Sequence, residues 1–256
     1  MQKLILNRWL IDAIRSICEA RNIAFTSYSD DWLLELTYKA TTKRILGYKF
    51  PLNLGIASQI AEDKVATYTL LNAYNVPAVP HVLLRPGMPI KGVDWSKVVL
   101  KPLAGTGGQD IHKFDTPKAA NDWVQQQPVN SWALSPYLKI KKEVRFVILN
   151  GEILLTYEKI PVNINGLLMF NLGFGAVPKK ITASTAMQNL ALEAQQVIGL
   201  SLTAIDIVEL DSGVIKVLEC NDGIMLEHFS RTSDEYRKDA YKIYEDIVST
   251  IFPEAV

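Results

Sequence analysis

A chain of 256 residues, 48% of them hydrophobic, has material for a substantial core and a length expected of one or two domains. Its 27 Lys and Arg balance 27 Asp and Glu, which argues against a nucleic-acid partner while leaving room for a local basic pocket. No window nears about 18 uninterrupted apolar residues, and charges interrupt MQKLILNRWLIDAIR. The expectation is therefore a cytoplasmic protein without membrane span or signal peptide, with Cys18 and Cys220 as reduced core thiols.

In chain order, Leu4 to Leu6 reads as a short strand, and Trp9, Leu10, Ala13, Ile14, Ile17 and Cys18 recur at helical spacing. Strands are expected at Ile23 to Tyr28, Trp32 to Tyr38 and Lys43 to Tyr48. This opening portion of 58 residues is too short for a complete nucleotide-binding domain. One helix is expected from Ser58, with Lys64 near its start and Asn75 and Pro77 as stop signals. Taken alone, Lys64 is an ordinary solvated helix lysine.

Strands follow at Val79 to Leu84 and at Val98 to Lys101, the second leading into KPLAGTGGQD. Gly105, Gly107 and Gly108 let backbone N–H groups approach phosphates, and Lys101 could neutralise them; a plain hairpin tip explains the same glycines. The spacing is not that of a P-loop. Thr116-Pro117 starts a helix, and Pro136 breaks the strand Trp132 to Leu138, as at an edge or hinge. Asn150-Gly151 marks a hairpin between Glu143–Leu149 and Glu152–Ile160. The Asn- and Gly-rich stretch between Pro161 and Pro178 reads either as a lid or as a bulged strand. A helix then runs from Thr185 to Ile198 with Gly199 as its cap, and a terminal helix starts near Thr232.

The hairpin Ser201 to Asn221 carries the sharpest chemical signal. With a two-residue turn at Ser212-Gly213, Asp206 falls directly opposite Glu219, a like-charge pair that destabilises a ladder, and its neighbours Ile205, Ile207, Val208, Val217 and Leu218 offer no relief. Asn221 shares the face of Glu219. Two carboxylates and an amide oxygen make a hard site suited to Mg²⁺ or Mn²⁺. A register slip of one residue, or a solvated sheet edge, would instead leave Asp206 a surface charge.

In order and kind these motifs resemble the ATP-grasp superfamily, whose members hold ATP between two α/β lobes. The resemblance covers roughly residues 50 to 225. It rests on Asp63-Lys64 at a helix start, Lys101-Pro102 with its glycine loop, the hinge at Ser135 to Leu138, Glu143-Val144-Arg145, and Asp206, Glu219 and Asn221. It implies an α/β (α+β) chain with a short N-terminal portion (1–58), an ATP-grasp N-lobe (59–133) and a C-lobe with the metal site (134–256). It also implies a carboxylate-amine ligase like those that add glutamate, glutathione and cyanophycin synthetases, and D-alanine ligases. Lys64, Lys101, the glycine loop, Lys159 and the backbone of Tyr137 and Leu138 would bind ATP. Asp206, Glu219 and Asn221 would bind Mg²⁺ (or Mn²⁺), and Arg145 and Asn171 would serve the transferring group. The partners implied are small-molecule or peptide carboxylate and amine substrates. A small-molecule kinase on the same scaffold is one alternative, and a nucleotide-binding protein without turnover is another, kept open by the short N-terminal portion and by a hinge that reads Ser135-Pro136 where many relatives have Gln-Glu; Leu168, Met169 and Phe170 stand where some protein-glutamate ligases have arginines, which leaves the substrate open.

Overall fold

The computed structural model describes residues 7–88, 90, 92–105, 110–128, 130–164 and 167–255. The expected strand at Leu4 to Leu6 and two of the loop glycines, Gly107 and Gly108, lie outside them. Contacts gather the chain into two compact units, residues 1–53 with 223–256 and residues 54–222. The grouping does not follow sequence order, because the C-terminal segment returns to the N-terminal residues.

In the first unit, helix α1 (Trp9–Ala20) precedes an antiparallel meander of β1 (Ala24–Tyr28), β2 (Leu33–Tyr38) and β3 (Thr41–Leu46). The short α6 (Glu227–Ser230) and the long α7 (Asp234–Ile251) complete it. The apolar stripe of α1, Leu10, Ile14, Ile17 and Cys18, is fully buried or nearly so. Its first turn lacks a side-chain cap from Arg8, and Glu227 supplies one from far along the chain, accepting from Trp9 N at 2.9 Å and Leu10 N at 3.1 Å. The terminal helix is capped by Ser233, one residue beyond the expected Thr232.

Besides a two-stranded ribbon, the second unit holds two main sheets. The smaller has the order β4-β7-β5-β6, from β4 (Val82–Leu84), β5 (Val98–Pro102), β6 (His112–Phe114) and β7 (Trp132–Pro136). Leu84, Val98, Leu100 and Leu134 pack under Ala120 and Val124 of α4 (Pro117–Val124). The other face carries Leu83, Ala133 and Lys101 in one cross-strand row. Strand β7 is interior rather than an edge, and Pro136 is tolerated because it is the last residue of the strand. Strand β4 is shorter than Val79 to Leu84, since Val79 N donates to Val217 O at 2.8 Å instead of joining the small sheet.

The larger sheet, in the order β12-β9-β8-β13-β14, consists of β8 (Ile140–Leu149), β9 (Glu152–Ile160), β12 (Val177–Lys180), β13 (Leu202–Leu210) and β14 (Ile215–Asn221). Strands β8 and β9 turn at Asn150 and Gly151, both at positive φ, as expected of Asn-Gly. One face buries Val144, Phe146, Ile148, Ile205, Ile207 and Cys220 against Met187, Leu190, Ala191 and Ala194 of α5 (Thr185–Ile198). Ala57 and Ala61 of α2 (Gly55–Glu62) and Leu71 of α3 (Lys64–Ala73) join the same core. Between Pro161 and Pro178 lie a separate two-stranded ribbon of β10 (Val162–Ile164) and β11 (Leu167–Met169), a short 3₁₀ turn and the start of β12, so the segment is neither a bare loop nor one bulged strand.

The single helix expected from Ser58 is two helices. Asp63 breaks it by leaving the helical region, with φ −96° and ψ 106°, while its Oδ1 accepts from Val65 N at 2.9 Å and Ala66 N at 2.8 Å. The side chain thereby takes two of the orphan donors of α3 and starts that helix at Lys64. Asp63→Ala is expected to lower stability by about 1 kcal/mol, and Asp63→Asn, which keeps an acceptor, by only a few tenths. Urea unfolding of both variants checks this; equal losses would contradict the capping role.

Candidate functional site

Asp206 and Glu219 are cross-strand partners, although the turn beyond them differs from the one expected. Leu210 N donates to Val214 O at 2.9 Å and Gly213 N to Leu210 O at 2.8 Å, so the loop has three residues, Asp211 to Gly213, with Gly213 at φ +81°. The added loop residue shifts the pairing by one. A β-bulge between Asp206 and Ile207, which leaves Leu218 as the extra residue on β14, shifts it back.

The like-charge conflict is relieved from the other side of β13. Asp206 also pairs with Arg145 of β8, and Arg145 with Tyr157 of β9, so one row runs Glu219, Asp206, Arg145, Tyr157 across four strands. Arg145 grips Asp206 with two bonds, Nε to Oδ1 at 2.8 Å and Nη2 to Oδ2 at 2.6 Å. Lys159, two residues beyond Tyr157 on the same face, reaches Asp206 Oδ2 at 2.9 Å and Glu143 Oε1 at 2.5 Å. The apolar neighbours on the hairpin itself give no relief, and the cations that do come from other strands.

The cluster is buried: Asp206 is 2% exposed, Lys159 5% and Glu143 6%. Two carboxylates against two cations make it neutral, which is how charges survive out of water. Burial alone would raise the Asp206 carboxyl, but Arg145 and then Lys159 outweigh it and bring it down to about 2. Burial raises the carboxyl of Glu143, with the charge of Asp206 adding to it against the pull of Lys159.

Beside this row the Lys64 ammonium lies 3.7 Å from Glu219 and donates to Gly105 O at 3.0 Å. Helix α3, the glycine loop and β14 therefore meet at one point. Lys101 of β5 lies close enough for its ammonium to be pushed down by burial and by Lys64, against the pull of Glu219, Glu143 and Asp206. Asn221 follows Glu219 by two residues, and its Nδ2 donates to Ala204 O at 3.2 Å.

Other expected residues sit differently. Tyr137 N donates to Lys97 O at 2.8 Å, so its N–H is already in use, and its ring lies 3.8 Å under the Lys113 ammonium. Asn171 Oδ1 accepts from Gly173 N at 2.7 Å as the cap of the 3₁₀ turn, and no described contact joins it to the charged row. Glu143 was legible only as half of an acidic-x-Arg phrase, and its bond to Lys159 had no signal in the sequence. His81, 5% exposed and lining a cavity with Lys64 and Glu219, was not singled out at all.

Among the described residues no group of three His, Cys, Asp or Glu side chains could hold a metal by itself. With both Asp206 oxygens engaged, the oxygen donors left on β14 are Glu219 Oε2 and Asn221 Oδ1. They fit an ion that arrives with phosphate oxygens, as Mg²⁺ does, and not a free-standing metal centre.

Two antiparallel sheets with flanking helices, meeting through a glycine-bearing loop at a row of buried charges, have the architecture of the ATP-grasp fold. The fold is similar to that of D-alanine–D-alanine ligase from Bacillus anthracis complexed with ATP, with TM-score 0.57 and 15% identity over 78% of this chain and 67% of that one. It is also similar to that of the D-cycloserine synthetase DcsG, with TM-score 0.56 and 18% identity over 74% of this chain and 71% of that one. A RimK-like ATP-grasp domain matches residues 89–243, more than half of the chain, and the chain belongs to that family. It is 26% identical over 193 residues to the probable alpha-L-glutamate ligase of Haemophilus influenzae, spanning 72% of this chain and 62% of that protein. It is 24% identical over 156 residues to the cyanophycin synthetase of Crocosphaera subtropica, spanning 58% of this chain and 18% of that protein. The chain thus covers less than two thirds of these relatives.

Two outcomes follow from the geometry. Lys159→Met strips Glu143 of its cation in the interior and leaves Asp206 with Arg145 alone, and it is expected to cost about 3–5 kcal/mol in urea unfolding; adding Glu143→Leu should recover part of it, and a loss under about 1 kcal/mol would contradict the burial argument. His81 is held down at about 3, chiefly by burial, so between the unfolded value of about 6.5 and that value the unfolded chain binds a proton the folded one refuses. Stability is full above the upper value and lost as pH falls through the window, on the order of 5 kcal/mol in all. His81→Gln should lose less than the unaltered protein between pH values of about 6 and 4; equal losses would contradict the assignment.

Proposed function

We propose that the protein is an ATP- and Mg²⁺-dependent ligase that joins a carboxylate to an amine or thiol through an acyl phosphate, with residues 59–133 and 134–256 acting as the two lobes. The observation that carries this reading is the convergence of Lys64, Lys101, Arg145 and Lys159 with Glu143, Asp206 and Glu219. Four cations against three carboxylates leave a surplus positive charge that suits a polyphosphate bound with one divalent cation. Family membership supports the same chemistry.

A substrate carboxylate oxygen would attack the γ-phosphorus while its bond to the β–γ bridging oxygen breaks, giving acyl phosphate and ADP. The amine lone pair would then add to the acyl carbon, phosphate would leave with the C–O electron pair, and the amine would shed a proton. Such transfers need alignment and charge neutralisation more than covalent help from the protein. Lys64 and Lys101 would hold phosphate oxygens under the Gly105 loop. Arg145 faces the row where charge builds up and would stabilise the transferring group. Glu219 and Asn221, with Asp206 once Arg145 and Lys159 turn toward phosphate, would hold Mg²⁺, which supplies further charge neutralisation. Lys159 is the fourth cation at the nucleotide. Asn171, on its capped turn, would have to swing to take part.

A second reading, nucleotide binding without turnover, is favoured by one observation: both Asp206 oxygens are already closed in ion pairs. Phosphate release screened over amino acids, dipeptides and related acids, with mass spectrometry of products, separates the two. Tight ATP binding with no ADP from any pool would support the second. Glu219 is partly exposed and bonded loosely, so Glu219→Ala is expected to cut Mg²⁺-dependent turnover at least about a hundredfold at unchanged melting temperature; unchanged turnover would sink the metal assignment. Asp206→Asn is the poorer probe, because it also unpairs buried cations.

A further inference from the structure

Among the described residues a buried ring nitrogen beside the site has no hydrogen-bond partner and a nearby ammonium has none either, and the two match. The Nδ1 of His81 lies 2.9 Å from the carbonyl oxygen of Val79. That oxygen only accepts, so Nδ1 carries the proton and Nε2 a lone pair. Nε2 is buried without a hydrogen-bond partner among the described residues, and the ring lines a cavity with Lys64, Thr67, Tyr68 and Glu219. Burial keeps the imidazole neutral, and the nearby ammonium groups of Lys101 and Lys64 add to that effect. A buried acceptor left open costs about 1–3 kcal/mol. Phosphate oxygens, being acceptors, cannot fill it.

Lys101 is the complementary case. Among the described residues no hydrogen-bond partner stands at its ammonium, which burial and Lys64 destabilise. It shares a row of the small sheet with Ala133 and Leu83, and His81 stands two residues before Leu83, just ahead of β4, near enough for the Lys101 charge to act on its ring. Lys64, by contrast, already donates to Gly105.

We propose that His81 is a positioning residue for Lys101: in the nucleotide-bound protein its Nε2 accepts one hydrogen bond from the Lys101 ammonium and aims the remaining donors at phosphate. The inference rests on the nucleotide-binding reading above. A long, flexible ammonium stem becomes a directed donor only when one of its three protons is anchored.

The test pairs two substitutions and one spectrum. Asn at position 81 retains a donor near Nδ1 and loses the acceptor at Nε2; Gln places an amide oxygen near Nε2. Calorimetry with MgADP on the full chain is expected to show about tenfold weaker binding for His81→Asn and a loss within about threefold for His81→Gln. A structural role for the ring would reverse that order, and either the reversed order or equal affinities would overturn the proposal. The chain has three histidines, so ¹⁵N-histidine spectra resolve His81. Its Nε2 resonance should move upfield at saturating MgADP, and a fixed resonance in protein that binds MgADP overturns the proposal alone. Unaltered protein that fails to bind MgADP overturns the nucleotide reading and this proposal with it.

Discussion

The buried ion cluster of Asp206 with Arg145 and Lys159 is the constraint on which the larger sheet depends. Charges out of water persist only when paired and hydrogen-bonded, and here three strands contribute to one cluster, closed by Glu143 on β8. Strand β8 alternates through this stretch: Val144, Phe146 and Ile148 face the helices, while Glu143 and Arg145 face the other way. A slip of one residue would drive Arg145 into the apolar core and put Phe146 beside Asp206. Packing and electrostatics therefore select the same register, and neither face of the sheet can be altered without the other.

Part of this arrangement was legible in the chain. Alternation, Asn-Gly and the Gly199 cap marked the strands and helices of the larger sheet because their causes are local, and the spaced motifs resembled the right superfamily. The Asp206–Glu219 pairing was reached through a turn that is wrong by one residue, and it holds because the bulge at Leu218 returns the missing step. A count along the strand sees only the sum of the two departures. The break at Asp63 had its signal in Asp-Lys, but an unbroken helical spacing on either side hid it.

What the chain did not disclose is long-range partnership. Arg145 and Lys159 had roles only through the resemblance, since nothing local to either shows that both end on one carboxylate of β13. His81 and Lys101 are hidden for the same reason: one follows a proline, the other precedes one, and their proximity exists only after β4 and β5 take places on either side of β7. Asn171 shows the converse, a polar side chain in a suggestive segment whose carbonyl oxygen is used by its own turn.

The charges are also sorted by side. On the larger sheet Arg145 and Lys159 are balanced by Asp206 and Glu143, and Glu219 meets Lys64 across the cavity, so among the described residues the cation there without a direct partner is Lys101 on the small sheet. For the proposed reaction this division has a use. Phosphate would be drawn first to the small-sheet side, where positive charge is in excess, and would bring its divalent ion to the carboxylates of the larger sheet. Were Asp206, Glu219 and Asn221 to hold a divalent cation, its charge would meet the pairing that burial demands, and Arg145 would be free to bond phosphate oxygens. The closed cluster would thus be the resting form of the same groups that act, with the exchange of partners setting the order of binding.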